Sequence, residues 1–213
     1  MSQQEITVQS GQGLWDSKQG IEEIKNMFGK NLTEGEFAMF LSIGKATGLN
    51  PFLKEIWAVK YGTGAASIFI GRDGYRRAAQ DNPEYDFHMA DAVYTGDNFS
   101  VNDGVVTHSY NMTDRGSLKG AYGIAKRKGS SKPCFIFVNL GEYMIEKSPI
   151  WASKPATMIK KVAEAQVLRM AFQKMFAATY DESEQWKAEA VEASKSTVKT
   201  ADPVTGEIVS SKE

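Results

Sequence analysis

The chain has 213 residues, 42% of them hydrophobic and 24% charged, with a formal net charge of −1; that is enough to bury a core without disulfide or metal staples. Its lone Cys134 closes no intrachain disulfide, no apolar run reaches the 18 or so residues of a membrane span, and residues 1–10 lack the apolar stretch of a secretory signal, so a soluble protein of a reducing cytoplasm is expected, with no membrane contact. The small net charge conceals an asymmetry: residues 115–174 hold 12 Lys or Arg against three acids, whereas residues 181–213 hold eight acids against four lysines, the pattern of a polyanion-binding body with an acidic tail.

Residues 1–20 carry few apolar side chains, Gln9, Ser10, Gly11, Gln12 and Gly13 read as flexible, and residues 1–30 are expected as a flexible lead with room for a short helix. The core is expected over residues 31–180. Thr33 with Glu36 fits a capping box, Leu32 with Phe37 a hydrophobic staple, and Phe37, Phe40, Leu41 and Gly44 recur at helical spacing until Gly48 and Asn50-Pro51 stop the helix. Trp57, Val59 and Tyr61 alternate, and residues 67–70 form a short apolar run after Gly62 and Gly64, which predicts a hairpin. A short helix is expected over residues 73–80, with Asp73 as its cap. Segments 86–94, 98–101, 105–110, 118–126 and 134–140 then alternate with turn signals such as Asn102-Asp103-Gly104, and together they predict an antiparallel meander in an α+β fold.

The longest helix is expected over residues 155–178, opened by Pro155. Its apolar residues cover most of the circumference, so it must be largely buried. Two polar stripes remain on the wheel: Lys160, Lys161 and Glu164 on one side, and Gln166, Arg169 and Gln173 roughly opposite. Arg169 is flanked there by Met158, Val162 and Phe176, which calls for an anionic or carbonyl partner. Residues 181–213 lose the density of core side chains and read as an acidic, disordered tail.

Two histidines and one cysteine make no Cys/His zinc site, and the sequence has neither HExxH nor a CxxC pair. It also lacks a GxxxxGK[ST] phosphate loop, so an ATP-driven strand-exchange motor has no support and no cofactor is expected. Asp73, Asp86, Asp91 and Asp103 are the acids from which a metal-dependent nuclease would have to be built. A helix cap, a turn and an exposed strand position account for most of them.

Four stretches carry a resemblance: Gly48-Leu49-Asn50-Pro51-Phe52-Leu53-Lys54-Glu55-Ile56-Trp57; Gly71-Arg72-Asp73-Gly74-Tyr75; Trp151-Ala152-Ser153-Lys154-Pro155; and Leu168-Arg169-Met170-Ala171-Phe172 leading to Tyr180-Asp181-Glu182. In this order and spacing, over roughly residues 30 to 185, they resemble the RecT/Bet family of phage single-strand annealing proteins, the lambda Red beta-like recombinases. The resemblance implies an ATP-independent annealing protein rather than an enzyme. It implies an α+β core that assembles into homo-oligomeric rings or helical filaments, with single-stranded and annealed duplex DNA in a basic groove, and a phage exonuclease and a host single-strand binding protein as companions in the bacterial cytoplasm. Longer members carry a helical domain after this core, where this chain has only residues 182–213.

Carried over by position, Lys54, Trp151, Lys160 and Arg169 match places expected to line that groove. Charge density adds Lys126, Arg127 and Lys128, and Arg77, Lys154 and Lys161 complete the candidate DNA-binding set. The competing reading is solvation for Lys54 and Lys160, core packing for Trp151, and a structural ion pair for Arg169. A passive strand-coating protein and a metal-dependent nuclease are the alternatives in function.

Overall fold

The computed structural model describes residues 11–60, 64–145, 148–177 and 179–181; residues 1–10, Tyr61 and, of the tail expected over 181–213, all but Asp181, which is in a strand, lie outside the described residues. Three helices open the chain: α1 (Gly11–Asp16), α2 (Lys18–Phe28) and α3 (Glu34–Thr47). The capping box forms as expected, with Thr33 N–H donating to the Glu36 carboxylate at 2.7 Å and Glu36 N–H to the Thr33 hydroxyl at 3.3 Å. Gly48 ends α3 in the left-handed conformation at φ 64°, which a glycine adopts without the steric cost of a Cβ.

The packed core starts well before residue 31. Residues 11–28, expected as a lead with at most a short helix, are two helices joined at Ser17, whose hydroxyl accepts from Gly20 N–H. Two fully buried side chains, Trp15 and Ile24, carry their packing, so a low apolar count conceals a high apolar area. The Trp15 ring meets Phe40 edge-on at 5.5 Å, and its Nε1 donates to the Leu49 carbonyl at 2.7 Å. Gly44 faces that ring so closely that a Cβ would sit 2.3 Å from it.

β1 (Ile56–Val59) and β2 (Ser67–Ile70) form the expected antiparallel hairpin, and β8 (Tyr180–Asp181) adds to β2 in parallel. Between the sheets lies α4 (Arg72–Asp81), whose cap is Gly71 and not Asp73; the Asp73 side chain is 92% exposed. The second sheet has the order β3–β6–β7, from β3 (Tyr85–Tyr94), β6 (Leu118–Arg127) and β7 (Cys134–Asn139). The expected meander is interrupted, because β4 (Asn98–Asn102) and β5 (Val105–Ser109) pair with each other and β3 passes over them to β6.

Asp97 makes that detour. Its buried carboxylate accepts from Tyr94 N–H, His108 and both Nε and a terminal nitrogen of Arg115, and the Arg115 guanidinium holds its pKa well below the usual carboxylate range. Arg115 also lies over the Tyr110 and Tyr94 rings, so the base of the β4–β5 hairpin is locked by charge while Phe99 seats it against Tyr122 and Phe137.

After β7, α5 (Leu140–Tyr143) and α6 (Pro149–Ser153) lead into α7 (Pro155–Ala171), which packs across β6, β3 and β7. The long helix is shorter than its sequence pattern: Phe172, at φ −122° and ψ 48°, breaks it, and α8 (Gln173–Phe176) follows. Phe172 and Phe176 are both buried, so the break lets both rings enter the core.

Candidate nucleic-acid interface

A cleft of about 700 Å³ opens where the segment 50–57, the start of α4 and α7 meet, lined by Phe28, Leu53, Lys54, Trp57, Arg72 and Lys161 among others. Its floor is built from the first two stretches that carry the resemblance. Asn50 caps the short 3-10 turn Pro51–Leu53 by accepting from Phe52 N–H at 2.9 Å, and Lys54 ends the turn at φ 57°. A left-handed lysine costs energy, and such conformations concentrate at functional places. Gly74 lets α4 lie on this segment, since a Cβ there would fall 2.5 Å from the Glu55 carbonyl. The Gly71-to-Tyr75 stretch is therefore the start of a packed helix, and its second glycine is required by close approach rather than by a turn.

Aromatic rings wall the cleft. Phe28 meets Phe52 edge-on at 5.2 Å, and Trp57 stacks on Phe69 at 6.3 Å. Phe52 and Leu53 remain exposed at 38% and 60%, an apolar rim beside basic side chains that suits bases next to phosphates.

Beneath the cleft lies a buried carboxylate. Glu164, expected on a polar stripe with Lys160 and Lys161, is only 2% exposed. It accepts from Arg72 Nε at 2.6 Å, from Arg76 Nε at 2.5 Å and a terminal nitrogen of Arg76 at 3.2 Å, and it lies 3.1 Å from His88 Nε2. Burial opposes its charge, but the hydrogen bonds from His88, Arg76 and Arg72 outweigh that and bring its pKa down to about 2.

The expected DNA-binding residues separate into groups. Lys54 and Lys161, far apart in sequence, meet in the cleft. Lys160, next to Lys161, points elsewhere and lies 3.9 Å from Asp91 on β3. Lys154 is exposed at the junction of α6 and α7. Lys126, Arg127 and Lys128 reach back to the 83–86 segment, with Asp86 at 3.3 Å, Glu84 at 3.4 Å and the Pro83 carbonyl at 3.1 Å as their partners.

Three more of the expected residues are tied into the fold. Trp151 is 1% exposed and packs with Ala121, Val138 and Met158, so its ring is core and offers no face to a base. Arg77 is held by Glu55 through two contacts of 2.6 Å, by the Gly48 carbonyl at 2.8 Å and by Asp81 at 3.1 Å. Arg169 donates to the Thr179 carbonyl at 3.1 Å, the carbonyl partner its apolar surroundings call for, and so ties α7 to the strand that joins β2.

Arg72 was not among the expected residues although it lies in one of the four stretches. By charge alone it resembles Arg76 and Arg77, and only the partners of each guanidinium tell them apart. The acids considered for a nuclease have different basic partners: Arg76 for Asp73, Lys126 for Asp86, Lys160 for Asp91 and Lys132 for Asp103. Among the described residues no group of three or more His, Cys, Asp or Glu is gathered to hold a metal ion, and no helix is long and apolar enough to cross a membrane.

These features describe an α+β protein whose basic, aromatic-walled cleft is suited to a polyanion. The family model of the RecT family matches residues 15–199, and the chain belongs to the RecT family. Membership makes it a protein of phage single-strand annealing and DNA recombination. A comparison with the curated proteins found no match.

Proposed function

We propose that this protein anneals complementary DNA strands without nucleotide hydrolysis, binding single strands and the new duplex along the cleft of a homo-oligomer, with a phage exonuclease and a host single-strand binding protein as companions in the cell. The observation that carries this reading is the convergence of Lys54 and Lys161 beside Phe28 and Trp57 in one open cleft. Among the described residues Lys54 has no ion pair of its own, so its charge is available to a phosphate.

Two strands repel through their phosphates, and lysines that neutralise both remove that barrier while leaving base edges open for pairing. Pairing then supplies the driving force, since stacking is worth about 1.4 kcal/mol per base-pair step. A few matched steps exceed thermal energy, so no ATP is needed. Neighbouring subunits that hold consecutive nucleotides raise the effective concentration of the next bases.

The test adds two complementary labelled oligonucleotides in sequence, without nucleotide and with or without magnesium, and resolves the products on a gel. The expected result is annealed product in a retained complex, weakening with salt by a slope of about −0.7 per neutralised phosphate. Lys54→Ala with Lys161→Ala should abolish most of it in protein that is still folded at the assay temperature. Tight binding of the first strand with refusal of the second would make this a passive coating protein, and degradation on adding magnesium would make it a nuclease.

A further inference from the structure

We infer that Arg72 is a phosphate-binding residue of the cleft and that the buried Glu164 is the positioning residue that aims it there. The inference rests on the cleft being the DNA path. It starts from the three arginines of α4, which differ in what their guanidinium groups have left to give.

Arg76 uses Nε and one terminal nitrogen on Glu164, while its other terminal nitrogen lies 3.7 Å from Asp73. Arg77 uses all three nitrogens on Glu55, Gly48 and Asp81. Arg72 gives only Nε, to Glu164 at 2.6 Å; among the described residues no hydrogen bond takes either of its terminal nitrogens, and its side chain, 29% exposed, lines the cleft with Lys54 and Lys161. A guanidinium fastened through Nε keeps its terminal fork for a second acceptor, and that fork matches two oxygens of one phosphate.

Glu164 is built to hold Arg72 in that attitude. It stands on α7 and joins α4 through Arg72 and Arg76 to β3 through His88. A carboxylate only accepts, so His88 donates from Nε2, and its Nδ1 is held by a hydrogen bond of 2.8 Å with the Tyr85 hydroxyl, which fixes the ring. One carboxylate then faces two guanidinium groups: Arg76 engages it through two nitrogens and leans towards Asp73, whereas Arg72 engages it through Nε alone and keeps its terminal fork at the cleft.

The experiment measures thermal melts and fluorescence anisotropy on a labelled single-stranded oligonucleotide across a salt series, using the full chain. Arg72→Ala should lose roughly tenfold in affinity and about 0.7 from the salt slope. Arg72→Lys should recover only part of it, because an ammonium keeps the charge without the Nε anchor. Glu164→Gln, and Glu164→Asp as a charge-conserving variant that draws the carboxylate back by one methylene, should weaken binding in the parent yet add nothing in an Arg72→Ala background.

A merely structural Glu164 would instead weaken binding equally in both backgrounds, measured well below the melt of each variant, which would overturn its positioning role. An Arg72→Ala protein with parental affinity and salt slope would overturn the phosphate contact. Lys54→Ala and Lys161→Ala separate the two levels: if they weaken binding and Arg72→Ala does not, this assignment alone fails, and if none of the three does, the cleft is not the DNA path.

Discussion

Replacing Arg77 with alanine tests whether charge on α4 is spent on structure. In the parent, Glu55 is almost fully buried and receives two guanidinium contacts of 2.6 Å and the Asn50 N–H at 2.7 Å. Arg77→Ala leaves that carboxylate with the Asn50 N–H alone and also frees the Gly48 carbonyl that ends α3. Breaking one side of a fully buried pair costs on the order of 3–5 kcal/mol. Arg77 is 35% exposed, and water entering its place reduces the cost to about 2–3 kcal/mol. At roughly 2–4 °C per kcal/mol for a chain of this size, the melting temperature should fall by about 5–10 °C. Adding Glu55→Gln should recover part of the loss, because an amide oxygen still accepts from Asn50 without carrying a stranded charge. DNA affinity of the folded protein, measured by anisotropy well below the melt, should stay within about twofold of the parent. A variant that melts with the parent but no longer binds DNA would place Arg77 on the DNA and refute the reasoning.

Gly44→Ala drives a methyl group to 2.3 Å from the Trp15 ring and should destabilise by about 1–3 kcal/mol as an overpacked core does; a chemical-denaturation midpoint equal to the parent's would show that residues 11–28 are not part of the cooperative unit. Acid should unfold the protein in a defined window, because Glu36, held mainly by the Thr33 N–H and then by Lys60, and Glu164 both have folded pKa values lowered to about 2 from 4.5. A carboxylate depressed in the folded state stabilises fully above its unfolded value, and that contribution is lost as pH falls from about 4.5 towards 2. For buried Glu164 the loss is on the order of 3 kcal/mol, so Glu164→Gln should flatten this part of the stability profile, and a parent whose stability is level from pH 5 to 2.5 would contradict it.

Local patterns in the sequence determined a good deal. The capping box at Thr33 and Glu36 and the glycine stop at Gly48 are decided by contacts within a few residues, while the hairpin strands β1 and β2 and the buried character of the helix from Pro155 were legible in the spacing of their apolar side chains. The four stretches that mark the family lie at the short turn before β1, the start of α4, the α6–α7 junction and the end of α7. Lys54 was expected at the DNA site from the resemblance, and it lines the cleft at the end of the short Asn-Pro turn.

Tertiary structure decided whatever depends on a partner distant in sequence. Composition cannot tell Trp151 in the core from a tryptophan facing DNA, because both are large apolar rings near basic residues. It cannot rank Arg72, Arg76 and Arg77, whose charges are equal and whose roles are set by Glu55 and Glu164 on other elements. Nor does a helical wheel reveal that Glu164 is buried, because the cost of burying a carboxylate is offset only when α4 and β3 bring two arginines and a histidine to it. The strand order has the same origin: β3 skips to β6 because the Asp97, His108 and Arg115 cluster closes the hairpin between them, an arrangement that exists only once those side chains meet in space.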